Sequence, residues 1–272
     1  MVPNTRREFL ADVGRGMLTV SLGSAVASDL GLTSASAAEG VDALSFGKLE
    51  PLVALLQETP PAKLMPVLVG KLKSGTDLRT LVAAGALANA RSFGGRHYEG
   101  YHTFMALAPS FEMARELPEA QRPLPVLKVL YRNATHIQAK GGRKNEALHP
   151  VKPAPVPAGK TGGEVLQEAT RRNDPATAEG VFATLAQDTP DDAFNHVLYC
   201  VEDDVNVHRV VLAWRAWATL DFTGKEHAHT LLRQTVLFCC NENRGGRPIA
   251  IQTLLPKLLD QYRLVGKEFG TR

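Results

Sequence analysis

Apolar positions recur with the helical period along almost the whole chain. Leu64, Val67, Leu68 and Leu72 form one stripe, and Leu127, Leu130, Tyr131 and Ala134 form another. Phe194, Val197, Leu198, Val201 and Val205 give a third, and His208 and Leu212 continue the same face. Near the C-terminus Ile251, Leu254, Leu255, Leu258, Leu259 and Tyr262 follow the i, i+3, i+4, i+7 spacing of an amphipathic helix. Strand-like alternation is nearly absent. The pattern predicts an all-α fold.

The stripes are interrupted once by a proline-rich run over residues 149–163, where the missing N–H groups and fixed φ oppose helix and favour an extended linker or surface crossover. It separates two halves, residues 38–148 and 164–272, that echo each other. Leu55-Leu56-Gln57-Glu58-Thr59-Pro60 matches Leu185-Ala186-Gln187-Asp188-Thr189-Pro190. An apolar helix, an Ala-rich helix and a turn then follow in each, at Phe93-Gly94-Gly95-Arg96 and Phe222-Thr223-Gly224-Lys225. Each half closes on Gly-Gly-Arg, at residues 141–143 and 245–247. This order predicts duplicated antiparallel helical-hairpin units forming a helical bundle or repeat domain.

Residues 1–37 lie outside that pattern. Arg6 and Arg7, followed by Glu8-Phe9-Leu10, a mild apolar stretch and Ala35-Ser36-Ala37, resemble a bacterial twin-arginine signal peptide. The resemblance implies a periplasmic or cell-surface protein that is exported already folded, a route suited to cofactor-loaded chains.

Hydrophobic residues make up 44% of the chain, enough for a core. The formal charge of +3 is unchanged when the leader is removed, and no basic run interleaved with aromatics argues for nucleic acid. No uninterrupted apolar stretch long enough for a transmembrane span occurs. Cys200, Cys239 and Cys240 offer either one disulfide from Cys200 to a partner in the vicinal pair, or three small buried hydrophobes.

Candidate chemistry sits just after the two turns. His97, Tyr98, Glu99, Tyr101 and His102 follow the first, and Glu226, His227 and His229 follow the second. Each contains Glu-x-x-His, Glu99 to His102 and Glu226 to His229. On a helix this spacing puts carboxylate and imidazole on one face, so Glu99, His97, Glu226, His227 and His229 are candidate ligands for iron, manganese or zinc. The acidic residues that would complete a four-carboxylate site, Asp77 and Asp204, lie too far from the turns. His97 and His102, five apart, cannot both face one ion from a regular helix unless Gly100 breaks it. The bland alternative is that first-turn polar residues cap and solvate their helices. His208 is either a buried histidine satisfied by Asp204, four residues earlier, or a ligand or proton-transfer group. Tyr98, Tyr101 and Trp214 are candidate walls of an apolar cofactor or substrate pocket.

The segment from His102 through Thr-Phe-Met-Ala-Leu-Ala-Pro-Ser-Phe-Glu-Met-Ala resembles the histidine-led helices of questin oxidase-like proteins. Val201-Glu-Asp-Asp-Val-Asn-Val-His208-Arg209 is similar to their His/Arg-bearing helix. The resemblance implies an all-helical oxidoreductase, with His102 and His208 as catalytic proton-transfer or ligand positions around a cavity for a small apolar or aromatic substrate. The chain has no serine nucleophile elbow, phosphate loop or dinucleotide glycine fingerprint. A helical-repeat scaffold with structural histidines, binding a partner protein and performing no catalysis, is the competing expectation.

Overall fold

A computed structural model of the chain describes residues 43–204, 206–241 and 250–266, and these contain eleven α-helices and no strand. The fold is an all-α bundle, as the periodicity predicts. The leader, the second Gly-Gly-Arg and Val205 lie outside the described residues. The first half holds α1 (Glu50–Glu58), α2 (Pro61–Lys73), α3 (Leu78–Phe93), α4 (Tyr98–Glu116) and α5 (Pro123–Ala139). The second holds α6 (Gly162–Arg171), α7 (Pro175–Leu185), α8 (Pro190–Val201), α9 (Val207–Thr223), α10 (Ala228–Asn241) and α11 (Ala250–Gln261). No described helix is long and apolar enough to cross a membrane.

Two helices form the centre. Every residue of α3 from Leu81 to Phe93 is buried, and α10 is buried almost from end to end. The small side chains of Ala83, Ala84, Ala86, Ala88 and Ala90 explain how α3 accepts neighbours on all sides. It packs on α1, α4 and α5 of its own half and on α9 and α10 of the other. Helix α10 is covered by α6, α7, α8 and α9. The halves therefore share one hydrophobic core.

Five helix starts carry side-chain caps. Asp77 accepts from the Thr80 N–H, Thr161 and Glu164 form a reciprocal capping box, and Asp174, Thr189 and Asn206 cap α7, α8 and α9. The Asn206 cap corrects one expectation from the sequence. The stripe through Val201, Val205 and His208 is not one helix, because α8 ends at Val201 and a new helix begins at Val207. Asp204 accordingly lies off the His208 helix and accepts from the Asn206 amide at 2.8 Å. The proline-rich segment is extended but seated. The Ala154 N–H donates to the Gly180 carbonyl, and the Thr184 hydroxyl donates to Ala154 O.

Three buried arginines tie remote segments together. Arg91 Nη1 donates to Glu50 at 2.9 Å and to Leu44 O at 2.6 Å, its Nε lies 3.0 Å from Glu146, and its Nη2 donates to Gln57. Arg209 donates to the carbonyls of Cys200 and Cys239, linking α8, α9 and α10. Arg233 pairs with Glu179 at 2.6 Å and donates to His149 O at the start of the proline-rich segment. Unpaired, such charges would cost several kcal/mol each, on the order of 3–5 when one partner is removed. Cys200, Cys239 and Cys240 are free thiols buried beside these clamps, and burial pushes the Cys239 and Cys240 thiols up to about 12. They are packing groups rather than nucleophiles.

Candidate functional site

The residues after the first turn are held by a buried polar knot. Asn89 on α3 donates to Gly100 O at 2.9 Å and to Asn133 Oδ1 at 2.7 Å, and Asn133 donates to Gly85 O. These bonds set the register of α4 against α3 and α5. Gly100 does not break the helix. It lies inside an unbroken α4, and a Cβ there would come within 2.4 Å of the Phe93 ring, so glycine lets α4 start close against the end of α3.

From that fixed start, Tyr98, Tyr101 and His102 meet His208 of the other half. Asn206 Oδ1 accepts from the N–H groups of His208 and Arg209, which places His208 in the first turn of α9. The His102 and His208 ring centroids are 5.8 Å apart. Tyr101 touches both, at 5.0 and 4.9 Å, and its hydroxyl donates to the His208 carbonyl at 3.2 Å. Tyr98 lies against His102 at 4.0 Å. Phe238 of α10 closes the base at 5.8 Å from Tyr101 and 6.4 Å from His208. The site is a surface junction where two helix starts meet, with Tyr101 buried beneath and Tyr98 and His102 exposed.

His102 Nδ1 lies 2.7 Å from Tyr98 O. A carbonyl only accepts, so Nδ1 carries the hydrogen, and in the neutral ring Nε2 presents its lone pair outward. Burial pushes the Tyr101 phenol up to about 12, so it remains a neutral donor to the His208 backbone. The junction therefore offers an acceptor nitrogen on His102, a second imidazole, and aromatic rings on Tyr98, Tyr101 and Phe238.

The remaining predicted residues go elsewhere. His97 precedes α4 and lies edge-on to Phe93 at 5.7 Å, exposed. Glu99 is exposed in the first turn of α4. A hydrogen bond from its own backbone N–H at the helix start holds its carboxyl below the usual range, with smaller contributions from Lys140, His136 and His97. Glu226 is exposed in the short turn Lys225–His227, folded back on Gly224 rather than toward His229. His227 packs edge-on to Phe46 at 5.7 Å, and His229 is buried, stacked on Phe182 at 5.7 Å. The five-residue ligand set expected for iron, manganese or zinc is thus divided among three neighbourhoods. No group of three or more His, Cys, Asp or Glu positioned for a metal occurs among the described residues. The physical reason is that i, i+3 spacing aligns two side chains only within a helix, and Glu226 precedes the first turn of α10.

Trp214 does not join this junction. Six residues beyond His208, it is turned about 240° around α9, and it is 56% exposed beside Val207 and Val210. Trp217 instead packs on Phe194 at 5.0 Å. Phe238, which does join, carried no sequence signal beyond being an aromatic on a His-bearing helix.

A separate cleft of about 480 Å³ lies between the proline-rich segment and helices α6 and α7, lined among others by Pro155, Pro157, Lys160, Val165, Glu168 and Arg172. It contains none of the predicted site residues. No family model, no curated protein and no solved structure matches the chain, and the geometry of its own side chains is what a functional reading rests on.

Proposed function

We propose that the chain is an exported all-helical protein that binds a small apolar or aromatic molecule at the junction between the starts of α4 and α9, with His102 and His208 as its polar, proton-handling groups. The single observation that carries this is the approach of His102 and His208, from opposite halves, to 5.8 Å across Tyr101. An open aromatic wall beside an imidazole acceptor suits a planar molecule bearing a hydroxyl, which would donate to His102 Nε2 while its ring lies on Tyr98. Proton transfer at that nitrogen is the part of an oxidoreductase reaction these residues can supply. The twin-arginine reading of Arg6 and Arg7 supports action outside the cytoplasm.

Calorimetric titration with 2-naphthol tests the reading. Binding to the wild-type chain should weaken at least tenfold in His102→Ala and in His208→Ala and stay unchanged in His97→Ala. Equal binding by all four proteins would remove the junction as the site.

One observation favours a second reading, a binding scaffold without catalysis. Val207, Val210 and Trp214 fall at i, i+3 and i+7 of α9, and all three are more than two-fifths exposed. Such an apolar stripe is a common mark of a protein-binding surface. Val210→Ser with Trp214→Ser would abolish partner capture and leave 2-naphthol binding intact if that reading holds.

A further inference from the structure

We propose that His102 and His208 together ligate one divalent transition-metal ion, Cu²⁺ most tightly, with water at the remaining positions. The inference shares the junction of the ligand-binding reading and rests on it for the site's accessibility. It differs from the carboxylate-rich set that the Glu-x-x-His spacing suggested, because its two ligands come from different helices and neither Glu-x-x-His carboxylate takes part.

The distance fits. A metal–nitrogen bond of about 2.0–2.1 Å places each ring centre about 3.2 Å from the ion, so two imidazoles on one ion have centroids at most roughly 6.3 Å apart. The observed 5.8 Å lies inside that limit, corresponding to a nitrogen–metal–nitrogen angle between tetrahedral and linear. The ring planes stand edge to face, 74° apart, so with His102 held on Tyr98 O it is His208 that must turn about χ2, a soft torsion, to share an ion with His102 Nε2.

The support around the ligands fits as well. A ligating histidine commonly donates its other ring N–H to a carbonyl, which fixes the tautomer and orients the ring, and His102 Nδ1 stands 2.7 Å from Tyr98 O in that relation. His208 is held from three directions, by the Asn206 cap, by the Tyr101 hydroxyl on its carbonyl, and by its neighbour Arg209 clamped to the ends of α8 and α10. Tyr101 and Phe238 cover the inner side, and the exposed side leaves a path for the ion and for coordinated water. A neutral two-imidazole site with open positions follows the general order of divalent affinity, in which Cu²⁺ stands highest.

Titration of the tag-free full chain with Cu²⁺, followed by calorimetry and by electron paramagnetic resonance, tests this. One Cu²⁺ per chain is expected, with hyperfine splitting from two nitrogens. His102→Gln and His208→Gln should each lower the affinity at least tenfold, with the far-ultraviolet circular dichroism unchanged, and His97→Gln should not. A fall of less than tenfold in either variant, or an equal fall in His97→Gln, overturns the proposal. The naphthol titration separates the two readings. Naphthol binding lost in His102→Ala alongside unaltered Cu²⁺ binding overturns the metal alone, while the expected Cu²⁺ behaviour without naphthol binding overturns the small-molecule reading alone.

Discussion

The hairpin α3–α4 and the hairpin α9–α10 carry the same sequence logic and bury opposite members. In the first, the helix before the turn is the fully enclosed one, and the helix after it carries His102 on the surface. In the second, the helix after the turn is enclosed, which puts His229 in the core, while the helix before it bears the half-buried His208 and the exposed Trp214. Equal Glu-x-x-His spacings therefore yield an accessible imidazole in one half and a packed one in the other. The difference teaches that a motif sets which residues share a helix face, whereas the neighbours of that helix set whether the face sees water. It also explains the site: the exposed helix of each hairpin lies beside the other, and their starts meet at Tyr101.

The strongest way to break the comparison is to remove the clamp of each half. Arg91→Ala leaves Glu50 and Glu146 without their buried guanidinium and should cost about 3–5 kcal/mol, lowering Tm by roughly 10 °C in a thermal circular-dichroism scan. Arg233→Ala removes the pairing to one carboxylate, Glu179, and should cost less. A larger loss for Arg233 would reverse the ranking of the two clamps.

The turns come next. Gly95 has φ +75°, and a Cβ there would lie 2.4 Å from the Gln234 carbonyl, so the backbone of α10 has to give. Gly224 has φ +95°, but the nearest atoms its Cβ would meet belong to the movable carboxylate of Glu226. Chemical denaturation should show Gly95→Ala destabilising by about 2–4 kcal/mol and Gly224→Ala by about 1–2 kcal/mol.

The two histidines of the shared motif give a sharper contrast at smaller cost. His229→Ala should destabilise by about 2–3 kcal/mol through the space left against Phe182. His102→Ala should remain within about 0.5 kcal/mol of wild type, as a surface change does. Comparable losses in a urea titration would contradict the opposite burial of the two hairpins.

Acid produces the smallest effect, and its sign differs between the halves. The Thr161 backbone and hydroxyl bonds hold the Glu164 carboxyl below its ordinary 4.5. Its contribution is present above that value and is lost as pH falls through the lower folded one. Burial raises the Glu146 carboxyl above 4.5 despite Arg91. The folded state then holds that proton more tightly, and stability is lost as pH rises from 4.5 through the raised value. Glu164→Gln should flatten the acid decline of Tm, and Glu146→Gln should steepen it.

Much of the fold was readable in the residues because it is local. Leu64, Leu68, Leu127 and Leu130, placed on stripes by their spacing, all face the core. The errors are also local in origin. Periodicity ran on from Val201 to His208 because a capped break of a few residues can preserve the phase of a stripe by chance. The C-terminal stripe is the most regular of all, yet Leu254 and Leu255 are exposed, since amphipathic spacing does not name what covers it.

The site divides along the same line. His102 and His208 were identified as individual candidates, and Tyr98 and Tyr101 as walls, from residue type and position in the sequence. That His102 meets His208 while His97, His227 and His229 do not was decided by packing between segments as far apart as Tyr101 and His208, a sequence separation of 107. By itself the sequence determined helix content and which side chains share a face within a helix, because those depend on bonds and spacings within a few residues. The tertiary structure decided which helix of each hairpin is enclosed and which imidazoles converge, because burial is shared among helices far apart in the chain and only their mutual packing sets it.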